Sequence, residues 1–84
     1  MHSVIDIKAT ILVTREGNDF VIINLSTNKR VSKKASDFYG TLFKYEHDFL
    51  KKFKETFDNT KNIIISYEAA DFMTDLIAFN RIDN

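Results

Sequence analysis

A chain of 84 residues with 44% hydrophobic content, eight Phe and no cysteine builds one modest core, burying about 60–65% of its unfolded surface. Without cysteine it has no disulfide, thiolate zinc site, iron–sulfur cluster or cysteine nucleophile, and a reducing cytoplasm is the expected setting. Twelve basic residues cancel twelve acidic ones, which argues against a generic polyanion binder.

The opening MHSVIDIKAT has no basic segment followed by an apolar signal core, and no apolar run approaches the ~18 residues that span a bilayer. A protein with no membrane partner is expected. Ile5, Ile7, Ala9, Ile11 and Val13 then alternate with Asp6, Lys8, Thr10 and Thr14, the period of a half-buried strand. Arg15-Glu16-Gly17-Asn18 reads as a turn, closing a hairpin onto Phe20–Leu25, the most continuously apolar strand and therefore a central one. A second turn, Ser26 to Lys29, puts Asn28 where a left-handed residue is needed.

Arg30 to Lys34 returns as a short third strand. Four of the six residues from Lys29 to Lys34 are basic, which suits an edge strand protected from indiscriminate pairing while it still offers unpaired backbone groups. Lys44, Lys51, Lys52 and Lys54 form a second basic group; Glu68, Asp71, Asp75 and Asp83 make the C-terminal stretch acidic.

Ser36 reads as an N-cap, with Ser32 competing, and Asp37 suits the start of a helix. Phe38, Tyr39, Leu42, Phe43, Tyr45, Phe49, Leu50, Phe53 and Phe57 fall within about 160° of a helical wheel. Glu46 would sit in the middle of that stripe, where an unpaired carboxylate is costly. The chain is therefore expected to change direction between Tyr45 and Asp48 and to start a second helix from Phe49 to about Phe57. After the polar connection Asp58–Asn62, Ile63 to Ile65 is an isolated strand or an apolar lead-in. Ser66 caps a last helix from Tyr67 to about Asn80, with Ala69, Ala70, Phe72, Met73, Leu76, Ile77 and Phe79 as its buried arc.

The predicted fold class is thus α+β, one domain over residues 1–84: a three-stranded antiparallel sheet followed by three helices, winged-helix-like. Its predicted core includes Ile11, Val13, Val21, Ile23, Leu42, Phe43, Phe53, Phe72 and Leu76. This order resembles the PqqD-like family, also called the RiPP recognition element. VIINLSTNKRVSKKAS followed by SDFYGTLF is similar to that family's strand–turn–strand and first helix, and AADFMTDLIAFNRID to its closing helix, with Asp71, Phe72, Leu76 and Ile82 at matching positions. The family's turn glycine is absent, the third strand is one residue longer, and Asn80-Arg81 replaces the final glycine.

The resemblance implies a non-catalytic module that binds the leader segment of a ribosomally synthesised precursor peptide by strand addition and presents it to a modifying enzyme or protease. The expected ligand edge is Arg30, Val31, Ser32, Lys33 and Lys34, faced by Ala70, Met73 and Ile77 on the last helix. The same edge could pair with a second copy. The alternatives are a small winged-helix-like nucleic-acid binder, opposed by the zero net charge and the lack of a basic recognition helix, and a phage-type or plasmid-type inhibitor of a host protein.

No enzyme, cofactor or metal is expected. His2 and His47 have no partner at metal-ligand spacing, Ser and Thr residues have no nearby base, and two glycines are too few for a phosphate-cradling loop. Asp71 and Asp75, four residues apart, read as a solvated acidic face.

Overall fold

The computed structural model of the chain describes residues 10–41, 43–58 and 60–82. His2, Ile5, Ile7, Ala9, Leu42 and Asp83 lie outside the described residues, as do the side chains of Arg81 and Ile82. Strand β1 (Thr10–Glu16) turns through Gly17 and Asn18 into β2 (Asp19–Asn24), and β3 (Arg30–Lys34) follows. A single 3-10 turn at Ala35–Phe38 precedes helix α1 (Glu46–Lys54), strand β4 (Asn62–Ile65) and helix α2 (Tyr67–Ile82).

Gly17 takes a φ of 62° at the first of two loop positions, where a type II′ hairpin loop takes glycine. The two-residue loop sets the register: Glu16 pairs with Asp19, Arg15 with Phe20, and Val13 with Ile22. Directly paired residues share a face. Phe20 and Ile22 therefore join Val13 and Ile11 under the helices, whereas the expected inward pair, Val21 and Ile23, points the other way. Because residues 20–23 are all apolar, their own pattern carries no parity. The loop length decides it.

Asn28, with φ 61°, takes the left-handed position in the β2–β3 turn. Its N–H donates to Asn24 O at 2.8 Å, and the Asn24 side chain accepts the N–H groups of Ser26 (2.9 Å) and Thr27 (3.2 Å).

The expected three-stranded antiparallel sheet with three helices is corrected in two places. Ile63 to Ile65 is a fourth strand, parallel to β1, with Ile63 beside Ile11 and Ile65 beside Val13. The sheet is therefore mixed, in the order β3-β2-β1-β4. Ser66 N–H extends the pairing to Val13 O at 2.9 Å. Parallel neighbours need a long connection, and here it runs from the end of β3 through α1 to the opposite edge of the sheet.

The second correction is the helix expected from Ser36. It amounts to the one 3-10 turn, with no side-chain cap hydrogen bond, and Tyr39 leaves it in extended conformation. Gly40 follows with φ 78°. A tertiary contact holds this shape: the Asn80 side chain, on α2 and 1% exposed, accepts the Gly40 N–H and donates to Phe38 O, both at 3.1 Å. A winged-helix-like arrangement is thereby excluded.

The chain does break at Tyr45. Helix α1 begins at Glu46, three residues earlier than expected, which leaves Glu46 exposed in the first turn. Asp48, at the third helical position, accepts the N–H groups of Lys44 (3.0 Å) and Tyr45 (3.1 Å). Those donors, Tyr45 first, hold its carboxyl below the ordinary value of 3.8. Lys51, Lys52 and Lys54 complement the dipole at the other end. Ser66 caps α2 as expected, its Oγ accepting the Ala69 N–H at 3.1 Å.

Both helices pack on one face of the sheet. The Phe20 ring touches Phe49 and Phe53 of α1 (5.9 and 5.1 Å between centroids), Phe72 of α2 (5.0 Å) and Phe38 (5.8 Å). The core also holds Ile11, Val13, Ile22, Ala69, Met73 and Leu76, with Phe43 packed against it. Arg15 lies over the face of the Phe72 ring at 4.0 Å from its centroid.

Two outcomes follow. Phe20→Ala is expected to cost about 3–5 kcal/mol by urea unfolding, a large share of the stability of a small domain; a loss under about 1 kcal/mol would contradict the core described. Asp48→Asn is expected to lower stability at neutral pH. Because the folded carboxyl titrates below its ordinary value of 3.8, the wild-type advantage is present above that value and disappears as pH falls through the depressed one. A difference between the two proteins that persists at strongly acidic pH would contradict the charge-based cap.

Candidate peptide-binding edge

Among the described residues, strand β3 ends the sheet on one side and β4 on the other. The ladder between β2 and β3 alternates between hydrogen-bonded and non-bonded pairs, and two bonds fix its phase. Asn24 N–H donates to Lys29 O, and Ala35 N–H donates to Asn18 O, both at 2.9 Å. With Ile22 opposite Val31 and Phe20 opposite Lys33, the odd-numbered residues of β3 turn their backbone groups toward β2. The N–H and C=O of Arg30, Ser32 and Lys34 therefore point away from the sheet.

Side chains divide in the same way. Arg30, Ser32 and Lys34 are exposed on the face away from the helices, while Val31 and Lys33 are half-buried on the helix face. Arg30 Nη2 meets Glu16 Oε1 at 2.9 Å, both side chains more than half exposed, so the pair contributes at most about 1 kcal/mol. Its position matters more than its strength. Ile23 pairs with Arg30 and Asp19 with Glu16, which sets Val21 midway beneath the bridge. Val21 is 2% exposed, on the face opposite α1 and α2.

The wall opposite β3 differs from the expected one. Met73 is fully buried in the core, and Ala70 and Ile77 are half-buried. Helix α2 packs chiefly on β1, in the middle of the sheet. What flanks β3 is the C-terminal end of α1: Lys33, Phe38, Lys52, Phe53, Glu55 and Thr56 line a groove of about 360 Å³, with Asp37 at its side. Lys33 and Lys52 thus face Asp37 and Glu55, which leaves the groove close to neutral. Thr56 Oγ1 is buried and has no hydrogen-bond partner among the described residues. Nothing in the sequence places Asp37, Lys52, Glu55 or Thr56 beside β3. They reach the edge only because the connection to β4 leaves β3 across the helix face.

Other chemistry-bearing side chains are dispersed. His47 is exposed, stacked on Tyr45 at 5.4 Å and 3.5 Å from Asp48 Oδ1. Asp71 and Asp75 are exposed on α2. Among the described residues no group of three His, Cys, Asp or Glu could hold a metal ion, and no helix is long and apolar enough to cross a membrane. No protein-family model matches the chain, and neither a curated protein nor a solved structure does.

Proposed function

We propose that the chain is a non-catalytic, cytoplasmic binding module that takes an extended peptide as a fifth strand against β3. The observation that carries this reading is the phase of the β3 ladder, which turns the backbone groups of Arg30, Ser32 and Lys34 outward along an edge strand. Strand addition draws affinity from such groups and sequence choice from flanking pockets. One pocket is present, on the helix face beside Lys33. Lys34 and Arg30 on the other face favour an acidic peptide.

The leader segment of a ribosomal precursor peptide, handed on to a modifying enzyme or protease, is the ligand the family resemblance implies. Since Ser36 to Thr41 forms a turn rather than the start of that family's first helix, the proposal rests on the edge, and a leader peptide is its first test ligand. Self-pairing is the weaker use of the edge. Antiparallel pairing of two copies centred on Ser32 would set Arg30 opposite the Lys34 of the second copy, and like charges directly opposed are destabilising.

Ser32→Pro tests the edge directly. Ser32 N–H points outward, so proline there deletes a ligand-facing donor while leaving the bonds to β2 intact. By calorimetric titration with an acidic leader peptide, Ser32→Pro is expected to weaken binding about tenfold or more, and Ser32→Ala, which keeps the N–H, to leave it unchanged. Circular dichroism checks that both variants are folded. Equal affinity for Ser32→Pro and wild type, or steeply salt-dependent binding to duplex DNA with none to peptide, would overturn the proposal.

A further inference from the structure

Two lysines of the second basic group, Lys51 and Lys54 on α1, have a setting unlike that of Lys33 and Lys52. His47, Leu50, Lys51 and Lys54 fall at i, i+3, i+4 and i+7 and so share one face of the helix. Together with Lys61 and Ile63 they line a groove of about 360 Å³ between α1 and β4. Its floor is apolar, because Leu50 and Ile63 are half-buried and packed against the core.

The rim is made of three lysines and His47, with no carboxylate among the lining residues. The groove beside β3 is different, since Asp37 and Glu55 answer its two lysines. Lys51, Lys54 and Lys61 are exposed, and none makes an ion pair among the described residues, where the pairs are Arg30–Glu16 and His47–Asp48. The acid next to His47, Asp48, already accepts two backbone N–H groups through its other oxygen.

We infer that this groove binds an anionic amphiphile: a single carboxylate or phosphate head on a short apolar body. The body lies on Leu50 and Ile63, removing their exposed surface from water, and the head sits among Lys51, Lys54 and Lys61. Either half of the groove alone would select poorly. An uncharged apolar molecule gains nothing from the lysines, and a bare anion leaves the apolar floor wet. The size favours one short chain, since about 360 Å³ is near the lower end of the ~300–1,000 Å³ typical of small-molecule sites. Nothing in this site depends on the β3 edge, which lies on the far side of the sheet.

The probe is decanoate below its micelle concentration, followed by backbone amide chemical shifts, with decanol as the chain without the charge and acetate as the charge without the chain. Saturable shifts at Leu50, Lys51 and Ile63 are expected with decanoate, and binding at least about tenfold weaker with either control. The double variant Lys51→Gln, Lys54→Gln, in which both changed side chains are exposed, is expected to weaken decanoate about tenfold and leave decanol unchanged. The inference is overturned if decanol binds as well as decanoate, if the shifts do not saturate or cluster elsewhere, or if the double variant binds as wild type. Binding to phosphatidylglycerol vesicles with none to monomeric decanoate would also overturn it, in favour of a membrane surface.

Discussion

The structure depends on one aromatic junction. Phe20 sits on a central strand and meets rings from both helices and from the turn after β3. A sheet this small covers one face with two short helices, and α1 has only nine residues, too few to persist alone in water. Its Phe49 and Phe53, both fully buried, fasten it to Phe20. The junction in turn depends on the two-residue loop at Gly17-Asn18, because a slip of one residue would send Phe20 to solvent and Val21 to the helices.

The second constraint is polar. Asn80 reaches from α2 to the backbone of Phe38 and Gly40 and satisfies groups that a helix would have paired internally. A buried amide is costly unless its partners are present. The extended exit at Tyr39 supplies them, so α2 and the 38–40 segment shape each other. The consequence reaches the candidate site: with no helix after Ser36, the chain crosses to α1, whose C-terminal end becomes the wall beside β3.

Among the described residues, charge marks the sheet face opposite the helices and the β3 edge of the sheet. The Arg30–Glu16 bridge spans Val21. Strand β3 carries Arg30, Lys33 and Lys34, and β4 is only four residues long, both familiar ways to discourage indiscriminate pairing. Lysines adjacent in the sequence end up in different company. Lys33 and Lys52 share a groove with two carboxylates, whereas Lys51, Lys54 and Lys61 surround apolar side chains.

The sequence by itself determined the local features whose causes lie within a few residues. The two hairpin turns, the left-handed Asn28, the Ser66 cap, the break before α1 and the basic third strand were all legible, because glycine, capping side chains and an ill-placed Glu46 act through nearby backbone. Tertiary structure decided whatever required distant segments to meet. The wheel from Phe38 to Phe57 looked helical because its phenylalanines, unlike the exposed Tyr39 and Tyr45, do face one core, yet they reach it through a turn that Asn80 holds and a separate helix. Ile63 to Ile65 is too short to declare itself a strand, and only the free side of β1 makes it one. The nearness of Lys52, Glu55 and Thr56 to β3 had no signature in the sequence, since it arises from the path of the connection and not from their spacing.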